Sequence, residues 1–220
     1  MDEATPILFD LPLRGRMLVQ NSPARRIPSH GTTLFGTSHA VDLVPVDEHG
    51  RSAPRDVRSL VALEPPERFL GFGMPVLAPA AGSVVAAHDA EADHEARRSP
   101  FVLVPYALTQ AERVREGITG LAGNHVVVAL GPAGPFALIA HLRRGTLRVG
   151  IGETIAAGDA IGECGNSGNS TEPHVHVQLS DTDDWARARG VPFAFRRYRD
   201  AGGAVIRGGM PGEREVVEAV

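Results

Sequence analysis

The chain has 220 residues, 43% hydrophobic and 22% charged, an ordinary globular balance and enough length for one domain with elaborations around a sizeable core. No apolar run approaches the ~18 residues that a membrane-spanning helix needs. A net charge of -4 and a pI near 6.1, with the arginine pairs 25-26, 97-98, 143-144 and 196-197 scattered along the chain, leave no basic stripe for nucleic acid.

All 22 basic residues are arginine, which excludes Schiff-base catalysis, a P-loop lysine and a lipoyl or biotinyl attachment site. One cysteine, Cys164, excludes an internal disulfide and a cysteine zinc site, and reads as a small core residue. Residues 1–21 carry acids where a signal peptide needs bases and contain no apolar stretch of signal length, so export by the usual route is not expected and the compartment stays open, cytoplasmic only by default.

The 25 glycines and 17 prolines are spread along the whole chain and punctuate short apolar or alternating runs, the pattern of a turn-dense β fold. In chain order, residues 1–28 read as an N-terminal strand segment, and strands are predicted at 40–46, 74–78, 82–87, 101–104, 125–130, 136–142, 154–156, 160–163 and 174–179. The polar stretch 87–100 reads as a surface insertion with His88 and His94 solvated. Short helices are predicted at 109–116, opened by the capping box Thr109-x-x-Glu112, and at 183–189, ended by Gly190. Pro79-Ala-Ala-Gly-Ser-Val-Val85 is echoed by Ile155-Ala-Ala-Gly-Asp-Ala-Ile161, which suggests two similar hairpin corners in one sheet system. Residues 181–220 read as a flap and a closing strand. The expectation is a single mainly β domain, 1–220, with its core at about 29–180.

Nine histidines raise the question of which face one another. On a strand, His174 and His176 project from one face while Val175 and Val177 point to the other. The turn-rich loop 165–173 before them brings backbone N–H groups close to whatever lies over the histidines, with Asn166, Ser167 and Asn169 as candidate groove residues. His141 ends the run 136–141, and its period-two neighbours Ala137 and Ile139 are apolar, so it belongs either to the core or to a groove. Asp42 is a carboxylate in an apolar strand and needs a metal or a cation, such as one of the many arginines, to be buried there.

Together these pieces resemble the lysostaphin-type zinc metallopeptidases, peptidoglycan endopeptidases with an H-x-x-x-D pattern, a later A-H-x strand and a G-N-[ST]-G loop before H-x-H. The matching residues are Ala140-His141-Leu142, Gly165-Asn-Ser-Gly168 and Pro173-His174-Val-His176, with Ala78-Pro79 and Gly82-Ser-Val84 similar to the family's early hairpin. The resemblance covers roughly residues 29–179. It implies an antiparallel β-sheet groove with short helices in surface insertions, one zinc ion, and a peptide or peptidoglycan substrate. By position it implies metal ligands at Asp42 and His176 and a non-ligand pair, His141 and His174. The third ligand is open, because position 38 is serine where the family has histidine. His39 stands at an odd offset that turns it to the opposite strand face unless a bulge intervenes, and His30 reaches the site if residues 32–38 make an excursion, which makes His30 the preferred choice and His39 the alternative. Two histidines and a carboxylate leave a tetrahedral zinc one open position for water. The alternative to an enzyme is a non-catalytic homologue that binds wall or regulates, favoured by the irregular spacing before Asp42.

Overall fold

The computed structural model describes residues 6–220, and of residues 58, 107 and 110–112 the backbone alone. Alternation of side chains builds its centre. In β3 (Val41–Pro45), Val41 and Leu43 enter the core, as do Val175, Val177 and Leu179 of β10 (Val175–Ser180) and Ala137 and Ile139 of β7 (Phe136–Leu142). Each fully buried branched side chain contributes about 1.5–3 kcal/mol, so register is fixed: a one-residue slip would turn every one of them outward. The opposite face of the same strands carries Asp42, His176, Gln178, Leu138 and Ala140. Antiparallel pairing sets His176 opposite Asp42 on one side and Ala140 on the other, so these three lie in one row across the sheet.

The sheet extends in both directions from this centre. Beyond β7 lie β6 (Asn124–Ala129), β5 (Gly82–His88) and β8 (Thr154–Ile155); beyond β3 lie β2 (Arg16–Gln20), β13 (Val216–Glu218), β11 (Phe193–Arg199) and β1 (Ile7–Phe9), with β12 (Val205–Gly209) also on β11. Only β1 and β11 pair in parallel among these described strands. A two-stranded sheet joins β4 (Pro75–Leu77) to β9 (Ala160–Glu163). The two echoing sequences lie against each other: Gly82 pairs with Ile155, and Gly158 donates its N–H to the Ala78 carbonyl at 2.9 Å.

Among the described residues, four short α-helices interrupt the strands, α1 (Val57–Val61), α2 (Pro100–Leu108), α3 (Gln110–Arg115) and α4 (Gly117–Ala122), with 3-10 turns at Leu34–His39 and Pro66–Arg68. Residues 101–104, predicted as a strand, lie in α2. Pro100 opens it, Ser99 Oγ accepts the Phe101 N–H at 3.3 Å and the Ser99 carbonyl accepts that of Leu103 at 2.9 Å; a four-residue apolar run does not distinguish helix from strand by itself. The helix predicted at 109–116 is instead α3 followed, past the positive φ of Gly117, by α4. Thr109 is no cap, since its hydroxyl donates to the Tyr106 carbonyl at 2.9 Å, and the Glu112 side chain lies outside the described residues. The helix predicted at 183–189 is a turn. Its N–H groups are taken by local side chains, Asp184 by Thr182 Oγ1 at 3.2 Å and Arg189 by Asp181 Oδ1 at 2.8 Å, which compete with helical bonding. The stretch 181–220 carries turns followed by β11, β12 and β13, and β13 lies in the sheet between β11 and β2.

The 87–100 insertion is less solvated than its composition suggests. His88 stacks on His125 at 5.7 Å and meets Glu91 at 3.0 Å, while His94 donates Nε2–H to the Gly168 carbonyl at 2.9 Å. Arg98 is fastened to the fully buried Glu64 by two bonds of 2.6 and 2.8 Å. No helix among the described residues is long and apolar enough to cross a membrane.

Candidate metal centre

Three strands and two loops deliver four histidines and an aspartate to one cavity of about 330 Å³: His30, Asp42, His141, His174 and His176. Asp42 and His176 arrive by regular alternation on β3 and β10. His141 does not. Regular alternation would send it into the core with Ala137 and Ile139, but a bulge at Asn124/His125 and a φ of 63° at His141 turn its ring onto the cleft face and return Leu142 to the core. A positive φ is uncommon for a residue with a Cβ, and strain of this kind clusters where side-chain aim matters.

His30 arrives from a loop. The chain leaves the β3 line over residues 29–38, with Phe35 and Gly36 at φ 56° and 76°, and the Ser29 N–H closes the excursion on the Ser38 carbonyl at 2.9 Å. Nε2 of His30 then lies 3.2 Å from Asp42 Oδ2. His39, the other histidine near β3, points elsewhere and meets the Gly190 carbonyl at 3.2 Å.

Hydrogen bonds on the outer edge of each imidazole settle which nitrogen faces inward. Ser29 Oγ donates to the Thr37 carbonyl and so accepts Nδ1–H of His30 at 3.0 Å. Gln178 donates Nε2–H to the Phe35 carbonyl at 2.8 Å, which orients its Oε1 to accept Nε2–H of His176 at 3.0 Å. Nδ1–H of His174 goes to the Glu172 carbonyl at 2.8 Å and that of His141 to the Ser167 carbonyl at 2.9 Å. In the neutral form of each ring so fixed, the inward nitrogen carries a lone pair; a protonated His30, His174 or His176 donates from it to Asp42 instead. Nδ1 of His176 faces Asp42 Oδ1 at 2.9 Å, and the ligand atoms of His30, Asp42 and His176 all lie within 4.8 Å of one another. Acceptors brought this close need a cation or shared protons between them, so the donor set fits a divalent metal of the two-imidazole, one-carboxylate kind.

The electrostatics agree. Burial pushes the Asp42 carboxyl up, but the charges of His30 and His174 and hydrogen bonds from His174 and His176 outweigh it and hold the group well below the usual carboxylate range. Asn21 adds a bond to Oδ2 at 2.7 Å. Burial, with His174 and His176 nearby, pushes His141 well below an ordinary imidazole, so it is neutral. Burial also disfavours charge on His174, yet Asp42, 3.6 Å from its Nε2, raises it on balance. No arginine reaches Asp42 among the described residues. One flank of the cavity is apolar, formed by Phe35, Ile118, Leu121 and Leu138.

Of the loop residues singled out from the sequence, Asn169 lines the cavity and accepts Arg113 Nε–H at 2.7 Å. Asn166 and Ser167 are fully buried and turned into the protein: Asn166 Nδ2–H goes to the His94 carbonyl, and Ser167 Oγ accepts the Asn124 N–H while donating to the Leu142 carbonyl. Ser167 touches the site through its carbonyl. Gln178, Asn21 and Ser29 were missed in the sequence. Gln178 had a signal, since it follows His174 and His176 at period two on the same face; Asn21 and Ser29 had none.

The chain is similar to a variant catalytic domain of the prophage-encoded M23 protein EnpA from Enterococcus faecalis, at 21% identity over 55% of this chain and 68% of that one, with a TM-score of 0.36. It is similar to the catalytic domain of the antimicrobial peptidase lysostaphin from Staphylococcus simulans, at 18% identity over 72% of this chain and 80% of that one, with a TM-score of 0.40. It is also similar to the M23 metalloprotease pseudoalterin from the deep sea, at 13% identity over 88% of this chain and 81% of that one, with a TM-score of 0.41. Residues 106–187, the stretch that carries His141, His174 and His176, match the model of peptidase family M23.

Proposed function

We propose that the protein is a zinc metalloendopeptidase that hydrolyses peptide bonds in peptidoglycan stem peptides or cross-bridges, with His30, Asp42 and His176 as metal ligands and His141 and His174 as the assisting pair. The observation that carries this reading is the convergence of two imidazole lone pairs and a buried carboxylate in a cavity that holds two further histidines. Bonds of ~2.0–2.1 Å at tetrahedral angles set neighbouring ligand atoms about 3.3 Å apart, and the 3.2 Å between His30 Nε2 and Asp42 Oδ2 is of that size. The match of residues 106–187 to the peptidase family M23 model supports peptide-bond hydrolysis; the wall peptide is carried over from the resemblance to peptidoglycan endopeptidases.

Zinc held by these ligands would supply Lewis acidity and a lowered water pKa. His141, neutral and anchored at Nδ1 by the Ser167 carbonyl, takes the proton of the attacking water at Nε2. His174, whose Nδ1–H is held by the Glu172 carbonyl, in its protonated form, which the nearby Asp42 favours, donates Nε2–H toward the scissile carbonyl oxygen as its charge develops. The proton held at His141 Nε2 passes to the leaving amine. The rings lie 4.6 Å apart, close enough to act on one reacting carbonyl.

Purified protein, loaded with zinc and desalted, is expected to retain near one equivalent of metal and to release soluble peptide from purified peptidoglycan, with a chelator abolishing the release. A protein that stays metal-free after loading, or whose hydrolysis ignores the chelator, overturns the reading.

A further inference from the structure

Gln20 and Glu172 line both the metal-centre cavity and a second cleft of about 390 Å³. Its connection to the centre is short. Gln20 is the cross-strand partner of Asp42, and the Glu172 carbonyl holds Nδ1 of His174. Three arginines line the cleft, Arg51, Arg55 and Arg214, all exposed and none with a side-chain hydrogen bond or ion pair to a described residue. Arg98, also in the wall, is committed to Glu64. The carboxylates at the rim are held as well: Glu172 accepts Ser52 Oγ–H at 2.5 Å, and Glu213 accepts the Ser22 N–H at 2.8 Å and faces Arg25 at 3.7 Å. Arg214 keeps a φ of 64°, an uncommon backbone for a residue with a Cβ, with its N–H on the Val19 carbonyl at 2.8 Å.

Guanidinium groups gathered on one concave wall, where four arginines outnumber the two carboxylates Glu172 and Glu213, match a planar oxyanion better than they match water, because each can donate in fork geometry. We propose that this cleft is an anion subsite that binds a carboxylate of the peptide whose scissile bond lies over His141 and His174. The proposal rests on the peptidase reading and deepens it: the preferred substrate is an acidic peptide, with its carboxylate on the β2 side of the metal centre. A peptide bridge made only of glycine would leave the cleft unused.

Two measurements test it separately from the peptidase reading. The first compares zinc-loaded protein on paired peptides that differ only in a free side-chain carboxylate or its amide, with the acidic residue walked along the peptide. At one position the acid is expected to be cleaved with a KM about tenfold lower than the amide, a preference that shrinks as salt rises. Arg51→Gln, Arg55→Gln and Arg214→Gln together are expected to bring the ratio to about one, while lysine at the three positions restores part of it. The second is direct binding of N-acetylglutamate amide, which has no bond to cleave, to wild type and to the triple glutamine variant, with circular dichroism confirming that the variant folds. Binding to wild type and not to the variant supports the subsite, and does so even if no peptide is cleaved, in which case the peptidase reading alone fails. Equal binding to both, no binding to wild type, or an acid-to-amide ratio near one at every position overturns it. Inorganic phosphate that displaces the acidic ligand at lower concentration than acetate also overturns it, because the site would then take phosphate rather than a peptide carboxylate.

Discussion

Replacing Gln178 by leucine isolates what an outer partner does for a metal ligand. Gln178 is 1% exposed, and its two ends tie the Phe35 carbonyl to His176 Nε2–H. Leucine keeps most of the volume and removes both bonds. His176 then loses the acceptor that keeps its proton on Nε2, and the tautomer with the proton on Nδ1, facing Asp42, becomes available. Losing such an outer partner weakens metal binding by about 10- to 100-fold, equivalent to about 1.4–2.8 kcal/mol. The metal-free protein also loses two largely buried hydrogen bonds, about 1–2 kcal/mol together and about 3–6 °C of Tm at this chain length. Gln178→Glu separates the two effects: its carboxylate still accepts from His176, but an oxygen now faces the Phe35 carbonyl, so zinc affinity is retained while stability falls. Competition with a chromophoric chelator gives the zinc affinity and a thermal melt without metal gives the stability. Wild-type zinc affinity in Gln178→Leu would refute the tautomer reasoning.

His30→Ala is expected to lose zinc by orders of magnitude in the same competition assay, whereas His39→Ala, which gives up one bond to the Gly190 carbonyl, keeps it. His141→Ala and His174→Ala should keep near one zinc and lose turnover by ~10² or more; loss of zinc from either would move that residue into the ligand set. Gly168→Ala places a Cβ against the Gly123 backbone at a φ of 68°, with no room for relaxation by a flexible side chain, and should cost more than about 2 kcal/mol in a thermal melt. Arg98→Met leaves Glu64 buried beside Arg68 alone at 3.6 Å, with an expected cost of about 3 kcal/mol or more in a denaturant melt.

The central strands were legible because burial on one face imposes a period of two: β7 and β9 have the bounds that alternation predicts, and β3, β4, β5, β6, β8 and β10 differ by a residue at one or both ends. Asp42 and His176 were legible for the same reason. His141 was not assignable by period, because a bulge depends on how β6 pairs with β7 and a single strand's sequence carries no information about its partner's register. The helices at 100–122 were read poorly because Phe101–Val104 is a uniformly apolar run without phase, and the stop at Glu116 and Gly117 depends on a positive φ that composition alone does not reveal. The arginines were counted in the sequence but scattered along it. Only folding brings positions 51, 55 and 214 to one wall.

The excursion between Ser29 and Ser38 makes the interval between the first ligand position and Asp42 a soft variable. His30 and Asp42 stand 12 positions apart, three times the offset of four in the pattern that the chain resembles. For a flexible segment, closure entropy grows only as the logarithm of length, so tripling the interval costs about 1 kcal/mol, comparable to a single hydrogen bond such as Ser29 N–H to the Ser38 carbonyl. Residues can therefore be gained or lost at the exposed stretch 33–34 with little thermodynamic penalty, provided both ends stay pinned. A search that scores the number of residues between histidine and aspartate will pass over such a centre, whereas one that scores which lone pairs can meet will find it.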